Sequence, residues 1–330
     1  RKKPKSRPVT LEQARANKAA IDWQTYTPPA PAKPGIHVFK DFDVSVLRQY
    51  IDWTPFFMTW SLSGKYPAIL DHELVGEEAR KLFKDANDWI DRIESEGLMK
   101  ANGICGLFPA ASVDDDIEVY ADESRQQVIK VLHNLRQQTE KPKGANYCLS
   151  DFVASKHSGK QDWIGMFAVT GGIGERELAD DFKAKGDDYN AIMVQAVADR
   201  LAEAFAEYLH MKVRTDIWGY APDENLSNED LIREKYQGIR PAPGYAACPE
   251  HTEKGAIWDL LGVQEKIGME LTTSYAMMPG ASVSGWYFSH PDSRYFAVAQ
   301  IQDDQVQSYS QRKGWDILEA EKWLGPNING

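Results

Sequence analysis

The segment DDYNAIMVQAVADRLAEAFAEYLHM, residues 187–211, does most to limit what this chain can fold into. Ile192, Ala196, Val197, Leu201, Ala204, Phe205, Tyr208 and Leu209 recur at three- and four-residue spacing. That period belongs to an α-helix and not to a strand. The elements predicted around it do not alternate in a regular way. Helices are expected near 43–51, 76–99 and 122–138, with shorter ones near 228–236, 253–261 and 315–323. Strands are expected in NGICGLFPAASV, DDIEVYAD, DWIGMFAVT, MELTTSYAMM, VSGWYFSH and YFAVAQI. The strand pairs around 102–121 and 282–301 suggest hairpins. This order predicts an α+β fold: one large domain with a twisted, mostly antiparallel sheet flanked by helices. It argues against a doubly wound parallel sheet.

The N-terminal stretch is different. RKKPKSR, residues 1–7, carries five basic side chains. A possible short helix at 10–20 leads into TYTPPAPAKPG, with four prolines in residues 28–34. Such a run forms no packed element of its own and reads as an extended strap on a surface, with few apolar contacts. Residues 1–36 are therefore expected to be a linker and 37–330 the folded domain. A first residue of Arg1 leads us to expect a piece of a longer polypeptide. With 330 residues, 42% of them hydrophobic, the core can be sizeable. The net charge of −11 argues against nucleic acid or an anionic membrane as partner. Cys105, Cys148 and Cys248 stand far apart and are odd in number, which fits a reduced cytoplasmic setting. No apolar run is long enough for a transmembrane helix or signal peptide.

Several motifs imitate sites. In FAVTGGIGERE, the glycines Gly172 and Gly174 are followed by Glu175, Arg176 and Glu177, so the third small residue of a dinucleotide fingerprint is missing. A plain glycine turn is expected there. SVDDDIEVYADE lacks the spacing of a calcium loop and reads as a solvated turn between strands. The seven histidines form no HxH or HExxH, so no zinc site is expected. There is no GxSxG elbow, and Cys248 has no identifiable base partner.

What remains is a scattered set of polar and aromatic residues. Asp52 lies among aromatics in RQYIDWTPFFMTW, either as a site acid or as a turn aspartate beside the core. Asp199 and Glu203 are four apart on the strong helix, hence on one face. They form either part of a site or a solvated face paired with Arg200. Tyr295 and Phe296 follow a Pro-Asp-Ser turn and could equally be core and edge aromatics. RPAPGYAACPEH, residues 240–251, has neither helical nor strand period: an arginine opens a stiff loop of small residues.

Taken together, KYQGIRPAPGYAACPEH, YIDWTPFFMTW, GMFAVTGG and MMPGASVSGWYFSHPDSRYFAVAQI resemble the C-terminal activation domain of cobalamin-dependent methionine synthase. The resemblance runs from the basic linker to WLGPNI and covers essentially the whole chain. It implies a module that binds S-adenosylmethionine and presents its methyl group to cobalamin. The reaction implied is reductive reactivation, in which cobalt(II), one electron and S-adenosylmethionine give methylcobalamin. The cobalamin would be held by a neighbouring module, to which the strap leads, and the electron would come from a flavodoxin-type flavoprotein. The resemblance further implies roles for single residues. Arg240 holds the ligand carboxylate, because a guanidinium fork matches a carboxylate, and Asp52 holds the α-amino group. Ala242 and Gly244 leave room for the ligand to approach the backbone, and Tyr245 walls the site. Tyr295 and Phe296 are aromatic contacts, and Glu203 and Glu234 are acids near the sulfonium. Glu250 and His251 are expected to face the corrin or its module. No general acid or base and no metal ligand is implied, since the work is positioning. The alternatives are a docking module for an electron-donor flavoprotein and a dinucleotide-dependent oxidoreductase built on TGGIG.

Overall fold

Two long strands buried on both faces organise the molecule. The structure, a computed structural model, describes residues 6–328; residues 1–5 of the basic run lie outside the described residues. The strands are β1 Gly35–Phe39, β2 Lys100–Val113, β3 Asp116–Tyr120, β4 Val128–Leu132, β5 Asp162–Ile173, β6 Glu270–Leu271, β7 Met277–Met278 and β8 Ser282–Tyr287. The main sheet has the order β4-β3-β2-β5-β8, with β1 beside β2, and every pairing is antiparallel. β1 takes residues 103–107 of β2 and β3 takes residues 110–113, both on the edge away from β5. The α+β fold with an antiparallel sheet is therefore as the sequence predicts.

Alternation along β2 sorts its side chains into two cores. Ala101, Cys105 and Leu107 enter one, with the long helix Asp188–Lys212 and the helix Gly76–Glu96. Ile104, Phe108 and Ala110 enter the other, under the helix Lys254–Leu261. The TGGIG segment serves this packing. A Cβ on Gly171 would lie 2.7 Å from Ala198 O and Ala202 N of the long helix, so only glycine lets β5 approach it. The segment is the end of β5 running through Gly174 into the helix Glu175–Ala184, rather than the plain turn expected.

Other elements differ from expectation for physical reasons. Residues 122–138 are not a helix. Val128–Leu132 pairs with β3, which satisfies its backbone in a ladder instead. The segment 269–278 pairs only at its ends, as β6 and β7. The hairpin expected at 282–301 is absent, because β8's outer edge is already covered. Ile239 bridges Phe288, and Trp286 N–H donates to Pro241 O at 2.9 Å. YFAVAQI instead crosses to a third small core, where Val298 and Ile301 meet Leu135, Val306 and Tyr309. β1 and the helices Thr54–Thr59 and Asp303–Lys313 are additions to the predicted set.

SVDDDIEVYADE is not a solvated turn throughout. Asp115 and Asp116 are buried. Asp115 and Asp151 enclose Arg136, whose side chain is 2% exposed. Its Nε donates to Asp115 at 3.0 Å, Nη1 to Asn146 O and Asp151 at 2.8 Å each, and Nη2 to Asp151 at 2.8 Å. The strap is also held more firmly than its composition suggests. Its helix, Leu11–Ala16, has a capping box from Thr10 and Gln13 and buries Leu11 and Ala14. Leu11 N–H donates to Asp304, and Trp218 Nε1–H donates to Pro29 O. The three cysteines are free and buried. Burial pushes the thiols of Cys105 and Cys148 up to about 12.

Candidate functional site

The pairing of residues 239–241 with β8 decides where Arg240 points. Ile239 enters the core beneath Lys254–Leu261. The next side chain must turn to the opposite face, where the long helix lies. There Arg240 meets Glu207 and His210. Its Nη2 donates to Glu207 Oε2 at 2.8 Å and its Nη1 to Glu207 Oε1 at 3.3 Å. Nη1 also lies 3.0 Å from His210 Nδ1 and 3.1 Å from the Tyr236 hydroxyl. A second arginine backs the first. Arg214 is paired with Glu224 at 2.6 and 3.0 Å and sits 4.1 Å over the Tyr236 ring.

Glu203, Glu207 and His210 are spaced by four and three residues, so one stripe of the long helix carries them. Glu203 and Glu207 form one wall of a cleft of about 250 Å³, with Arg200 beside them. Tyr50, Asp52, Glu234 and Arg240 line the rest of it together with the apolar Pro55, Leu231 and Ile232. Asp52 stands just before the helix Thr54–Thr59 and accepts from Thr54 N–H at 3.3 Å. The Arg200 guanidinium reaches Asp52 O at 3.5 Å. Glu234 holds φ at +57°, in the left-handed region. That costs a non-glycine residue about 1 kcal/mol or more and tends to mark functional positions.

The charges in the cleft are uneven. Desolvation raises the pKa of Glu203 above the ordinary glutamate value; Arg200 and Arg240 oppose the rise, while Asp199 and Glu207 add to it. His210 is fully buried, and burial together with Arg214 and Arg240 drives its pKa well below normal. The imidazole is therefore neutral, and Nδ1 accepts from Arg240. Burial also disfavours the charged guanidinium of Arg240, but the Glu207 carboxylate outweighs it and keeps the arginine protonated.

Four of the residues chosen from sequence thus share one cleft: Asp52, Glu203, Glu234 and Arg240. Tyr295 joins them from the side, its hydroxyl accepting from Arg240 N–H at 2.9 Å. Ala242, Gly244 and Tyr245 do not line this cleft. They form the turn that follows, with Tyr245 N–H donating to Ala242 O and Gly244 N–H to Cys248 O. Gly244 has φ +95°, and a Cβ there would lie 2.5 Å from the His251 ring. Tyr245 is 71% exposed. Phe296 turns away from the cleft and stacks on Tyr147 at 5.7 Å. Glu250 does not face outward as expected: it is buried and accepts from the Tyr309 hydroxyl at 2.8 Å. Its neighbour His251 is exposed, with Nδ1 2.9 Å from Lys254 Nζ. Sequence reading missed Glu207, His210 and Tyr236. The available signal was Glu207 and His210 continuing the stripe begun by Glu203.

An antiparallel α+β domain with an arginine and several carboxylates in an open cleft suits a ligand carrying both charges. Comparison with known proteins gives the family. Residues 43–314 match the model of the vitamin B12 dependent methionine synthase activation domain. A crystal structure of the MetH reactivation domain bound to AdoHcy superposes with a TM-score of 0.97 at 64% sequence identity, covering 98% of this chain and 100% of that one. The chain belongs to the activation domain family of vitamin B12 dependent methionine synthase, and so is a module of a methyltransferase. Among the described residues no helix is long and apolar enough to cross a membrane.

Proposed function

We propose that this chain binds S-adenosylmethionine in the cleft between the long helix and Arg240, and presents its methyl group for cobalamin reactivation. The observation that carries the reading is convergence. Asp52, Glu203, Glu234 and Arg240 come from four separate segments and line one cleft. Arg240 would take the ligand carboxylate and Asp52 the α-amino group. Glu203 and Glu234 would face the sulfonium, where negative charge stabilises a cation. Tyr295 would close the side nearest Arg240. Ala242 and Gly244 would leave room for the ligand and offer backbone groups to the adenine, and Tyr245 would wall the site. Cobalamin, which a neighbouring module would hold, would supply the nucleophile for the methyl group, with S-adenosylhomocysteine as the leaving group. This chain's own residues bind and orient, and no proton need move. A flavodoxin-type protein would supply the electron. The strap, residues 1–36, would join the domain 37–330 to the cobalamin module. Three free, buried cysteines fit work in the reducing cytoplasm.

The test is equilibrium binding of S-adenosylmethionine to this chain and to Arg240→Ala. Loss of a charge-assisted pair predicts about ten- to hundredfold weaker binding by the variant. Equal binding by a folded variant removes Arg240 from the site. No binding by either protein overturns the proposal.

A further inference from the structure

The Arg240 guanidinium is gripped asymmetrically. Glu207 takes both terminal nitrogens, Nη1 and Nη2. Nη1 is shared further with His210 Nδ1 and the Tyr236 hydroxyl. Its Nε has no hydrogen-bond partner among the described residues, and it is not among the buried unsatisfied atoms. One edge of the fork, Nη1–Nη2, is thus closed by the protein. The other edge, Nε–Nη2, is open, and a guanidinium can donate to a carboxylate on each edge.

We infer that Glu207 is a positioning residue: by clamping the Nη1–Nη2 edge it turns the Nε–Nη2 edge of Arg240 toward the ligand carboxylate. The inference rests on the proposed role of Arg240 in binding that carboxylate. Glu207 is well placed for this task. Its side chain is 10% exposed, and it sits on a 25-residue helix packed on the sheet. His210, one turn on, fixes the same nitrogen from a second direction. That arrangement has a cost. With Nδ1 accepting, the proton of the neutral imidazole sits on Nε2, which is buried without a partner. Arg214 Nη1 and the Tyr287 hydroxyl, in the same cluster, are likewise unpartnered. The cluster is arranged around the arginine, at the expense of its other members.

The opposite role is also chemically possible: Glu207 could occupy the fork until the ligand carboxylate displaces it. The two roles predict opposite signs, and a ligand without an amino-acid end separates both from general damage. The experiment measures binding of S-adenosylhomocysteine and of methylthioadenosine, which lacks the carboxylate, to the full chain. Glu207→Gln should weaken S-adenosylhomocysteine binding about tenfold and leave methylthioadenosine unchanged. Glu207→Asp keeps the charge but withdraws it by one methylene, so it should fall between the two and serves if the glutamine variant fails to fold. Tighter S-adenosylhomocysteine binding, unchanged binding, or equal loss for both ligands overturns the inference. Arg240→Lys is measured alongside. If it leaves S-adenosylhomocysteine binding intact, the role given to Arg240 fails. If it weakens binding while the Glu207 variants do not, only the positioning role fails.

Discussion

Arg136 and Arg240 are both held by carboxylates inside the same domain, yet they are finished differently. Every nitrogen of Arg136 has a partner, and its side chain is 2% exposed between Asp115 and Asp151. Arg240 is 18% exposed, one edge of its fork is open, and three polar atoms around it have no partner. A closed network fixes a structure, and its surroundings gain nothing from a further ligand. An open one leaves hydrogen-bonding capacity that a ligand can use. The contrast separates an arginine that holds the fold from one that, under the proposed function, would meet the ligand, although both carry short ion pairs.

The strongest way to break this contrast is Arg136→Met. It would leave Asp151 buried without a cation and Asp115 with Arg15 alone, and stranding a buried carboxylate costs about 3–5 kcal/mol. Urea unfolding should show that loss, while the molecules still folded bind S-adenosylmethionine normally. Weakened binding without lost stability would erase the distinction. Asp162 tests whether burial alone matters. It is buried, accepts from Ala154 N–H and Trp163 N–H, and is raised by desolvation to about 7. The folded state therefore holds its proton more tightly than the unfolded chain. Its contribution to stability is full below about pH 4 and is lost as pH rises toward about 7. The slope over that window approaches about 1.4 kcal/mol per pH unit. Asp162→Asn lacks this titration, so the wild-type-minus-variant difference in stability should carry the slope; a flat difference would show Asp162 ionised at ordinary cost. The smallest effect belongs to Glu203→Gln. Losing one partly screened charge should weaken S-adenosylmethionine about two- to fivefold and spare neutral S-adenosylhomocysteine. In the wild type, the same preference should fade on acidification, because protonation removes the charge. It should fade at a higher pH than an ordinary glutamate allows, since desolvation raises this one. Equal losses for both ligands would place Glu203 away from the sulfonium.

Local pattern carried much of the fold. β2 and β5 were legible because their apolar residues fill both faces, and the long helix because its period is unbroken. YFAVAQI has the composition of a strand and is not one, since residues 239–241 already occupy the edge of β8. Which edge is free is a property of the assembled sheet and leaves no mark in a local window. The same limit applies at the site. Asp52 and Arg240 stood out through the motifs that carry the family resemblance. Glu207 did not, because its partner lies 33 residues away in a segment without periodicity. Asp115 and Asp116 looked solvated for the same reason, as the arginines that neutralise them arrive from 136 and 312.

The stripe Glu203, Glu207, His210 and Arg214 spans twelve residues, roughly 16 Å of rise, running from the end of the long helix into the π-helical turn Val213–Ile217 that continues it. Four polar groups on a single rod cannot move independently: the rod acts as the fixed jaw of a vice. The facing jaw is made from Asp52, Glu234 and Arg240, each on irregular backbone or the end of a short element. Any adjustment of the cleft to ligand size must then come from that side. Substitutions that loosen residues 231–241 should alter selectivity among ligands of different length, whereas those within the rod should alter affinity for all of them alike.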